Sequence, residues 1–290
     1  ALITGASSGI GMAYAKYLAS LGWHLDLVSK DSSRSQKAKK RLNYSKANYF
    51  LADLSQPSEV ETLISELQTP DLLIANAGIT RYGKAGSISK KKKTDLFYLL
   101  CNGVIDLIEG FLPEMKKKEN ARIVIISSIA AITPMPKSSI YASAKSAIYS
   151  YGLSLSQELK EDNITVTVSL PGYVRTDIHE KAGLGHLKKN IPSWMWIEPY
   201  QVVKETEKAS LKGQSRIIPG LVYRIVSPFL RSSLSLQIWK KLAKKGYWIN
   251  GSSDSLGEED PEIKCLSKNK RWVKLTHNLT PKNYFKLHKD

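Results

Sequence analysis

Short apolar runs alternate with amphipathic stretches along most of the chain. Runs such as 72–75 and 122–126 are apolar at nearly every position, and the stretches between them repeat apolar residues at helical spacing. Strands that are apolar on both faces are typical of a parallel sheet covered by helices on both sides. The pattern therefore predicts an α/β fold with a doubly wound parallel sheet. The predicted strands are 1–4, 25–29, 47–54, 71–75, 122–128 and 164–172, and the predicted helices are 11–22, 34–42, 58–67, 94–116, 139–160 and 199–211.

The alternation ends near residue 215, and the chain divides there. Residues 1–215 hold the predicted α/β domain. We expect its first strand to be truncated, because this strand should be central and only three residues precede Thr4. Residues 216–250 contain an amphipathic basic segment. Residues 251–290 form a polar and basic tail, which we expect to be disordered.

The amphipathic segment carries apolar residues on one side and arginines on the other. Arg224 and Arg231 lie opposite the apolar positions, and Pro228 should kink the helix. Such a stripe favours packing in the core or a dimer contact; the alternative is a peripheral membrane contact through 221–245. The apolar positions are 221, 222, 225, 226, 229, 230 and 234.

Charge and cysteine usage narrow the class of protein. The net charge is +17, with +8 in residues 1–215 and +9 in the much shorter 216–290, which indicates an anionic partner such as a membrane surface, a phosphorylated ligand or an acidic carrier, or simply solubility. The tail also has aromatic residues, but without a stacking platform we expect no nucleic-acid partner. Cys101 and Cys265 form no CxxC motif, so neither a disulfide scaffold nor a metal site is predicted. The amino terminus lacks the pattern of a signal peptide, and we expect a cytoplasmic protein.

A glycine-rich turn, TGASSGIG at 4–11, lies where the first strand passes into the first helix. Gly5 permits a tight turn, Gly9 lets the backbone approach a phosphate, and Gly11 allows the helix to pack closely. The helix amino terminus offers N–H groups and partial positive charge to a pyrophosphate. The turn predicts a dinucleotide site.

The end of the second strand predicts which dinucleotide binds. An acidic residue there holds a ribose 2′-hydroxyl, whereas a basic residue accepts a 2′-phosphate. That position falls at Ser29 and Lys30, so we favour NADP over NAD. Asp31 complicates the prediction, and Lys30 as a solvated surface charge is the alternative.

The segment SSIAAITPMPKSSIYASAK carries the predicted chemistry. Tyr141 and Lys145 are four positions apart and share one face of a helix. A nearby ammonium lowers the pKa of a tyrosine, so that Tyr141 could exchange a proton with a carbonyl or alcohol oxygen. Ser128 closes a strand at the sheet edge where ligands of such folds bind.

Taken together, these motifs resemble the short-chain dehydrogenase/reductase family, with some likeness to hydroxysteroid dehydrogenases and bacterial DltE-like proteins. TGASSGIG, LADL, ANAG, SS, YASAK and PGYVRT occur in the family's order and approximate spacing. The resemblance implies a Rossmann-type NAD(P)-binding catalytic domain in 1–215, carbonyl/alcohol oxidoreduction on a largely apolar or lipid-like substrate, and a homo-oligomer. It implies Ser128, Tyr141 and Lys145 as the catalytic residues. The cofactor-binding residues that it implies are Gly5, Ser7, Ser8, Gly9, Ile10, Gly11, Ser29, Lys30, Asp53, Leu54, Asn76, Ala77, Gly78, Tyr141, Lys145, Pro171, Gly172, Val174 and Thr176.

One family position is altered. The family uses an asparagine in an NxxG pattern of the fourth helix to hold a water in a proton relay. Here the spacing places Leu100 at that position and Gly103 at the glycine, while Asn102 lies about 200° round the helix. We therefore predict either an active reductase with a different proton route or a slower one. A nucleotide-binding sensor or scaffold that has lost catalysis is the rival interpretation.

The aromatic segment that follows the nicotinamide-side loop is the predicted substrate cover. Trp194 and Trp196 belong to an irregular stretch, PSWMWIEP. Core packing is the alternative, with about equal support.

Overall fold

A computed structural model of the protein describes residues 1–176 and 191–230. In this part of the chain, seven parallel strands form one sheet in the order β3-β2-β1-β4-β5-β6-β7. The strands are β1 Leu2–Thr4, β2 Leu25–Ser29, β3 Ala47–Leu51, β4 Leu72–Ala75, β5 Ala121–Ile126, β6 Ile164–Ser169 and β7 Arg216–Ile217. The helices are α1 Gly9–Ser20, α2 Ser32–Leu42, α3 Pro57–Glu66, α4 Lys90–Phe97, α5 Gly103–Met115, α6 Ser139–Glu158, α7 Pro199–Leu211 and α8 Leu221–Leu230.

Helices cover both faces of the sheet, as the apolar pattern predicts. Apolar residues of α3, α5 and α6 pack in one core cluster, and those of α1 and α7 pack in a second. All four residues of β4 are buried, because this central strand has a helical layer on each side. The doubly wound α/β fold is confirmed, and the short β7 adds a strand that the sequence did not predict.

The predicted helix at 94–116 is longer and less regular than expected. It starts at Lys90, because the Ser89 hydroxyl caps the new helix by accepting from the Lys92 N–H. A π turn at Tyr98–Asn102 separates α4 from α5. Within the described residues, the stretch Lys90–Met115 is long and apolar enough to cross a membrane, but its apolar side chains belong to the core cluster beside the sheet.

Helix α8 does not bury its apolar stripe. Leu221, Ile225 and Phe229 are 66%, 61% and 62% exposed, whereas Tyr223 on the other side of the helix is 4% exposed. Core packing is therefore wrong for these positions, since the helix is attached to the domain through the opposite face, while the dimer contact and the membrane contact stay predictions. The rest of the 221–245 segment and the 251–290 tail lie outside the described residues.

Candidate active site

The glycine turn follows β1 at the carboxyl edge of the sheet. Gly5 and Gly9 have φ angles of +65° and +57°, a backbone conformation that other residues rarely adopt. A Cβ on Gly11 would lie 2.4 Å from the Gly5 carbonyl oxygen. Ser8 occupies the position before α1 and makes no side-chain cap to the helix, so the first N–H groups of α1 remain available to an anion.

Thr4 and Asn76 join the glycine turn to the end of β4. The Thr4 hydroxyl oxygen accepts from the N–H groups of Asn76 and Ala77, both at 2.9 Å. The Asn76 side-chain amide donates in return to the Thr4 carbonyl oxygen at 2.9 Å. A Cβ on Gly5 would lie 2.8 Å from the Ala77 Cα, so the two segments are in close contact. The predicted segment Asn76 to Gly78 thus lies directly against the turn.

Lys30 and Asp53 form an ion pair at the ends of β2 and β3. Burial acts to raise the pKa of Asp53, but hydrogen bonds from Lys30 and Ser55 outweigh it and hold that pKa below its ordinary value. Asp31 caps α2, since its carboxylate accepts from the Arg34 N–H. The Ser29 hydroxyl oxygen is buried and has no hydrogen-bond partner within the described part of the chain.

Ser128 and Tyr141 are brought together between β5 and α6. Ser128 follows β5, and its hydroxyl oxygen accepts from the Ala130 N–H at 3.1 Å. Tyr141 lies in the first turn of α6. Burial raises the pKa of Tyr141, and a hydrogen bond with Ser128 opposes part of that rise. The serine and tyrosine of the predicted catalytic set are therefore direct neighbours.

Lys145, one helical turn after Tyr141 in α6, is buried and points to the sheet. Its ammonium donates to the Ile126 carbonyl oxygen at 2.8 Å, and its own carbonyl accepts from the Ser127 hydroxyl at 2.9 Å. Burial lowers the pKa of Lys145 to about 8. The predicted lowering of the Tyr141 pKa by this ammonium is wrong for the geometry seen, because burial dominates and Ser128 is the group that opposes it.

Leu100 fills the space beside Lys145 where the family carries an asparagine. It is 1% exposed, and a Cβ built on Gly78 would be 3.0 Å from Leu100 Cδ2 and 4.0 Å from Lys145 Nζ. Cys101 is also buried, and its electrostatic interaction with Lys145 opposes the rise that burial causes in the thiol pKa. Asn102 is exposed on the helix surface, as the spacing predicts.

The loop 171–176 closes the site from the side of β6. A Cβ on Gly9 would lie 3.1 Å from Thr176 Cγ2, so the loop reaches the glycine turn. Val174 pairs with Ile197 in an isolated parallel bridge, and the Pro171 carbonyl accepts from the Ile129 N–H at 2.9 Å. Tyr223 of α8 packs against Gly172.

Aromatic side chains line the neighbouring surface. Tyr82, Tyr173 and Trp196 pack with the buried Ile191, and the rings of Tyr173 and Trp196 are 5.6 Å apart. Trp194 is 64% exposed. Of the two tryptophans predicted to cover a substrate, Trp196 belongs to this aromatic cluster and Trp194 faces solvent.

Sequence reasoning missed three residues that organise the site. Thr4 was treated only as the start of a motif, and Cys101 only as a cysteine to be counted. Tyr223 gave a usable signal, because it is an aromatic residue outside the apolar stripe of its own helix. A large side chain on the less apolar face indicates a second contact.

The residues present fit a dinucleotide. Two glycines with positive φ and a third glycine without room for a Cβ lie along one sheet edge. At the same edge, the first N–H groups of α1 have no side-chain cap and the Ser29 hydroxyl has no partner among the described residues. These are the donors and the close backbone approach that a pyrophosphate and a ribose require. Among the described residues, no three His, Cys, Asp or Glu side chains are grouped to hold a metal ion.

The fold and these motifs define a nucleotide-binding oxidoreductase of the short-chain class. The sequence pattern of the short chain dehydrogenase family matches residues 1–185. The chain therefore belongs to the short-chain dehydrogenase/reductase family.

Known proteins of this family are similar over most of the chain. Dehydrogenase/reductase SDR family member 7B of Xenopus laevis is 29% identical, with 87% of this chain and 85% of the relative covered. A 3-oxoacyl-(acyl-carrier-protein) reductase of Rickettsia prowazekii is 33% identical over 62% of this chain and 74% of its own length. The solved structure of a short-chain dehydrogenase from Sphingobium yanoikuyae in complex with NADPH has a TM-score of 0.70 and 26% identity, covering 84% of this chain and 94% of that one.

Proposed function

We propose that the protein is an NADP-dependent reductase or dehydrogenase that interconverts a carbonyl and an alcohol on a largely apolar substrate. The observation that carries the proposal is the hydrogen-bonded pair Ser128 and Tyr141, with Lys145 bonded to the end of β5, at the same sheet edge as the glycine turn. Family membership supports an oxidoreductase with a nicotinamide cofactor.

The dinucleotide would lie along the carboxyl edge of the sheet. The turn at Gly5, Gly9 and Gly11, with Ser7, Ser8 and Ile10, would hold the pyrophosphate against the start of α1. Asp53 and Leu54 would border the adenine. The segment Asn76 to Gly78 and the loop residues Pro171, Gly172, Val174 and Thr176 would line the ribose and nicotinamide.

When bound, the dinucleotide supplies or accepts the hydride. In the reductive direction, Ser128 would hold the substrate carbonyl oxygen with its hydroxyl, and Tyr141 would give that oxygen its phenolic proton. Burial raises the pKa of Tyr141, and the hydrogen bond with Ser128 opposes that rise, so Ser128 would also favour release of the phenolic proton. Lys145, whose ammonium donates to the Ile126 carbonyl oxygen at the end of β5, would hold the nicotinamide ribose.

NADP is favoured over NAD by the charges at the end of β2. The side chain of Lys30 is 70% exposed even though it pairs with Asp53, so its ammonium can turn to a 2′-phosphate. Asp31 is engaged at the start of α2 and does not offer a carboxylate to a ribose 2′-hydroxyl. The NADPH-bound relative supports the same choice.

The substrate is expected to be apolar, because Tyr82, Tyr173, Trp196 and Ile191 form the surface beside the loop 171–176. Aromatic side chains bury large apolar area. A 3-oxoacyl chain, as the name of the Rickettsia relative indicates for that enzyme, fits this chemistry. Steroids and bulky ketones fit it as well.

A catalytically silent NADP-binding sensor is the second candidate. The observation that favours it is Leu100, whose burial against Gly78 leaves an apolar side chain beside Lys145. Against it stands the intact set of Ser128, Tyr141 and Lys145. Both functions predict that NADPH binds. Only the reductase or dehydrogenase also predicts turnover.

The test is a panel assay with the purified chain. NADPH and NADH oxidation would be followed by absorbance with 3-oxoacyl thioesters, steroid ketones and small ketones, and each product alcohol identified. We expect turnover with at least one apolar carbonyl and a preference for NADPH. Tight NADPH binding without turnover on the whole panel would support the sensor instead.

Helix α8 is proposed to contact an anionic membrane surface from the cytoplasmic side. Its exposed apolar residues include Ile225 and Phe229, and the sequence from 208 to 253 has nine basic and no acidic residues. Apolar area and positive charge together favour interfacial binding. Cosedimentation should be stronger with anionic than with neutral vesicles, and Phe229→Ser should weaken it. Equal sedimentation with both lipids would contradict the electrostatic part.

A homo-oligomer is also proposed, on the family resemblance alone. Light scattering coupled to size exclusion measures the mass directly. A dimer or tetramer is expected, and a monomeric mass at micromolar concentration would contradict it.

A further inference from the structure

Tyr223 connects the last described helix to the active-site loop. Its ring lies over Gly172, where a Cβ would come within 2.1 Å of the ring. Gly172 itself is not in the left-handed region, so what a larger residue would meet there is the tyrosine and not a backbone restriction. The Tyr223 ring therefore requires a residue without a side chain at position 172.

The Tyr223 hydroxyl bonds two segments at once. It accepts from the Tyr173 N–H at 3.0 Å and donates to the Met195 carbonyl oxygen at 2.7 Å. Tyr173 belongs to the loop 171–176, and Met195 belongs to the turn Ser193–Met195 that precedes Trp196. One buried hydroxyl thus ties the proposed nicotinamide side to the proposed substrate side.

The loop 171–176 makes further contacts on both sides of Tyr173. The Tyr173 carbonyl oxygen accepts from the Ile197 N–H, and the Arg175 N–H donates to the Ile197 carbonyl oxygen, both at 2.9 Å. Thr176, at the end of the loop, touches Gly9 of the glycine turn. A displacement of Tyr173 would therefore also displace Thr176 relative to the glycine turn, since the two are only three positions apart.

Contacts with α7 and Ile197 hold the start of helix α8, and with it Tyr223, against the domain. Glu205 of α7 accepts from the Gly220 N–H at 3.0 Å and from the Arg224 guanidinium at 3.2 Å. Gly220 has φ of +86°, and a Cβ on it would be 2.6 Å from Ile197 Cδ1. These contacts hold the first turn of α8 while its apolar side faces solvent.

We propose that Tyr223 is a positioning residue that fixes the loop 171–176 for the nicotinamide end of the cofactor. The effect on catalysis rests on the proposed function, whereas the effect on the loop does not depend on any bound cofactor. Removing only the hydroxyl takes a hydrogen-bond partner from the Tyr173 N–H and from the Met195 carbonyl, both in half-buried residues, which is more costly than losing a solvated bond.

The direct test is hydrogen exchange of the full chain in Tyr223→Phe, with Tyr200→Phe as the matched control, because Tyr200 is 52% exposed on α7. We expect exchange in the loop 171–176 to be about tenfold faster in Tyr223→Phe, with the central strands unchanged. Unchanged loop exchange would overturn the proposal, and so would equal acceleration in the central strands, since that indicates general destabilisation. Both outcomes are independent of whether the protein uses a nicotinamide cofactor.

The catalytic consequence is measured as a split between KM and kcat. Tyr223→Phe should raise the KM for NADPH about tenfold and lower kcat by a smaller factor. An unchanged KM would overturn the link to the cofactor. If the wild-type chain neither binds nor oxidises NADPH, the proposed function fails while the exchange result still decides the positioning.

A double-mutant cycle tests the contact itself. Gly172→Ala should accelerate loop exchange strongly in the wild type and much less in a Tyr223→Ala background, because the colliding ring is then absent. An equal effect of Gly172→Ala in both backgrounds would show that the two residues act independently, and would contradict the proposal.

Discussion

The two sides of the candidate site satisfy their polar groups in different ways. On the dinucleotide side, Thr4 and Asn76 exchange hydrogen bonds across the turn, and Lys30 pairs with Asp53. On the proton side, Lys145 has the apolar Leu100 and the thiol of Cys101 beside it. Both sides keep family motifs, but the proton side departs from them at Leu100, so that binding of the cofactor and transfer of the proton can be examined separately.

The largest expected effect is on the proton side. Tyr141→Phe removes the proposed proton donor and should lower kcat by about 10²–10⁴-fold while NADPH binding stays near the wild-type level. Steady-state rates and a fluorescence titration measure the two quantities. Tyr151→Phe is a control, because that hydroxyl bonds Glu109 elsewhere on the chain. Undiminished turnover in Tyr141→Phe would remove this residue from the mechanism.

The second effect concerns the burial of Lys145. Its pKa is about 8 in the folded chain against an ordinary 10.5, so the unfolded chain binds more protons between these values. Stability should therefore rise with pH in this window. From pH 8 to 10, the wild type should gain about 2 kcal/mol of unfolding free energy relative to Lys145→Met. Parallel pH profiles from urea unfolding of the two proteins would contradict the low pKa.

The third effect is on cofactor choice. Lys30→Ser should lower the ratio of kcat/KM for NADPH to that for NADH by about tenfold, because one charge contact to a 2′-phosphate is lost. Lys16→Ser, which changes an exposed lysine on α1, serves as the control. If both variants keep the wild-type ratio, Lys30 is a solvated charge with no part in specificity.

The smallest expected effect comes from Leu100, which lies where the family has an asparagine. Leu100→Asn restores the family amide beside Lys145 and should raise turnover about threefold if the missing relay limits the rate. Leu100→Met keeps the volume of the side chain and controls for packing. A folded Leu100→Asn protein with the wild-type rate would show that the proton route does not depend on this position.

Much of the fold and of the candidate site could be predicted from the sequence. The strands that are apolar on both faces lie in the central sheet, and the glycine turn opens α1 as its motif indicates. These predictions depend on local patterns, in which each residue type is tied to a backbone conformation or to burial.

The remaining features depend on contacts between distant segments. Nothing near Tyr223 in the sequence indicates that its hydroxyl reaches Tyr173, 50 residues away. The face of α8 that meets the domain could not be predicted either, because an amphipathic pattern shows that one face is apolar and not which face packs against the domain. The orientation of Lys145 toward Ile126 follows from side-chain packing that helical spacing does not specify.

The most direct measurement follows the hydride. NADPH carrying deuterium at the transferring position of the nicotinamide would be mixed with the wild-type chain and the best apolar ketone of the panel, and the product examined by mass spectrometry. The account predicts an alcohol that contains the deuterium, in an amount equal to the NADPH consumed. Saturable NADPH binding without any labelled alcohol would contradict it and identify the chain as a nucleotide-binding protein without reductase activity.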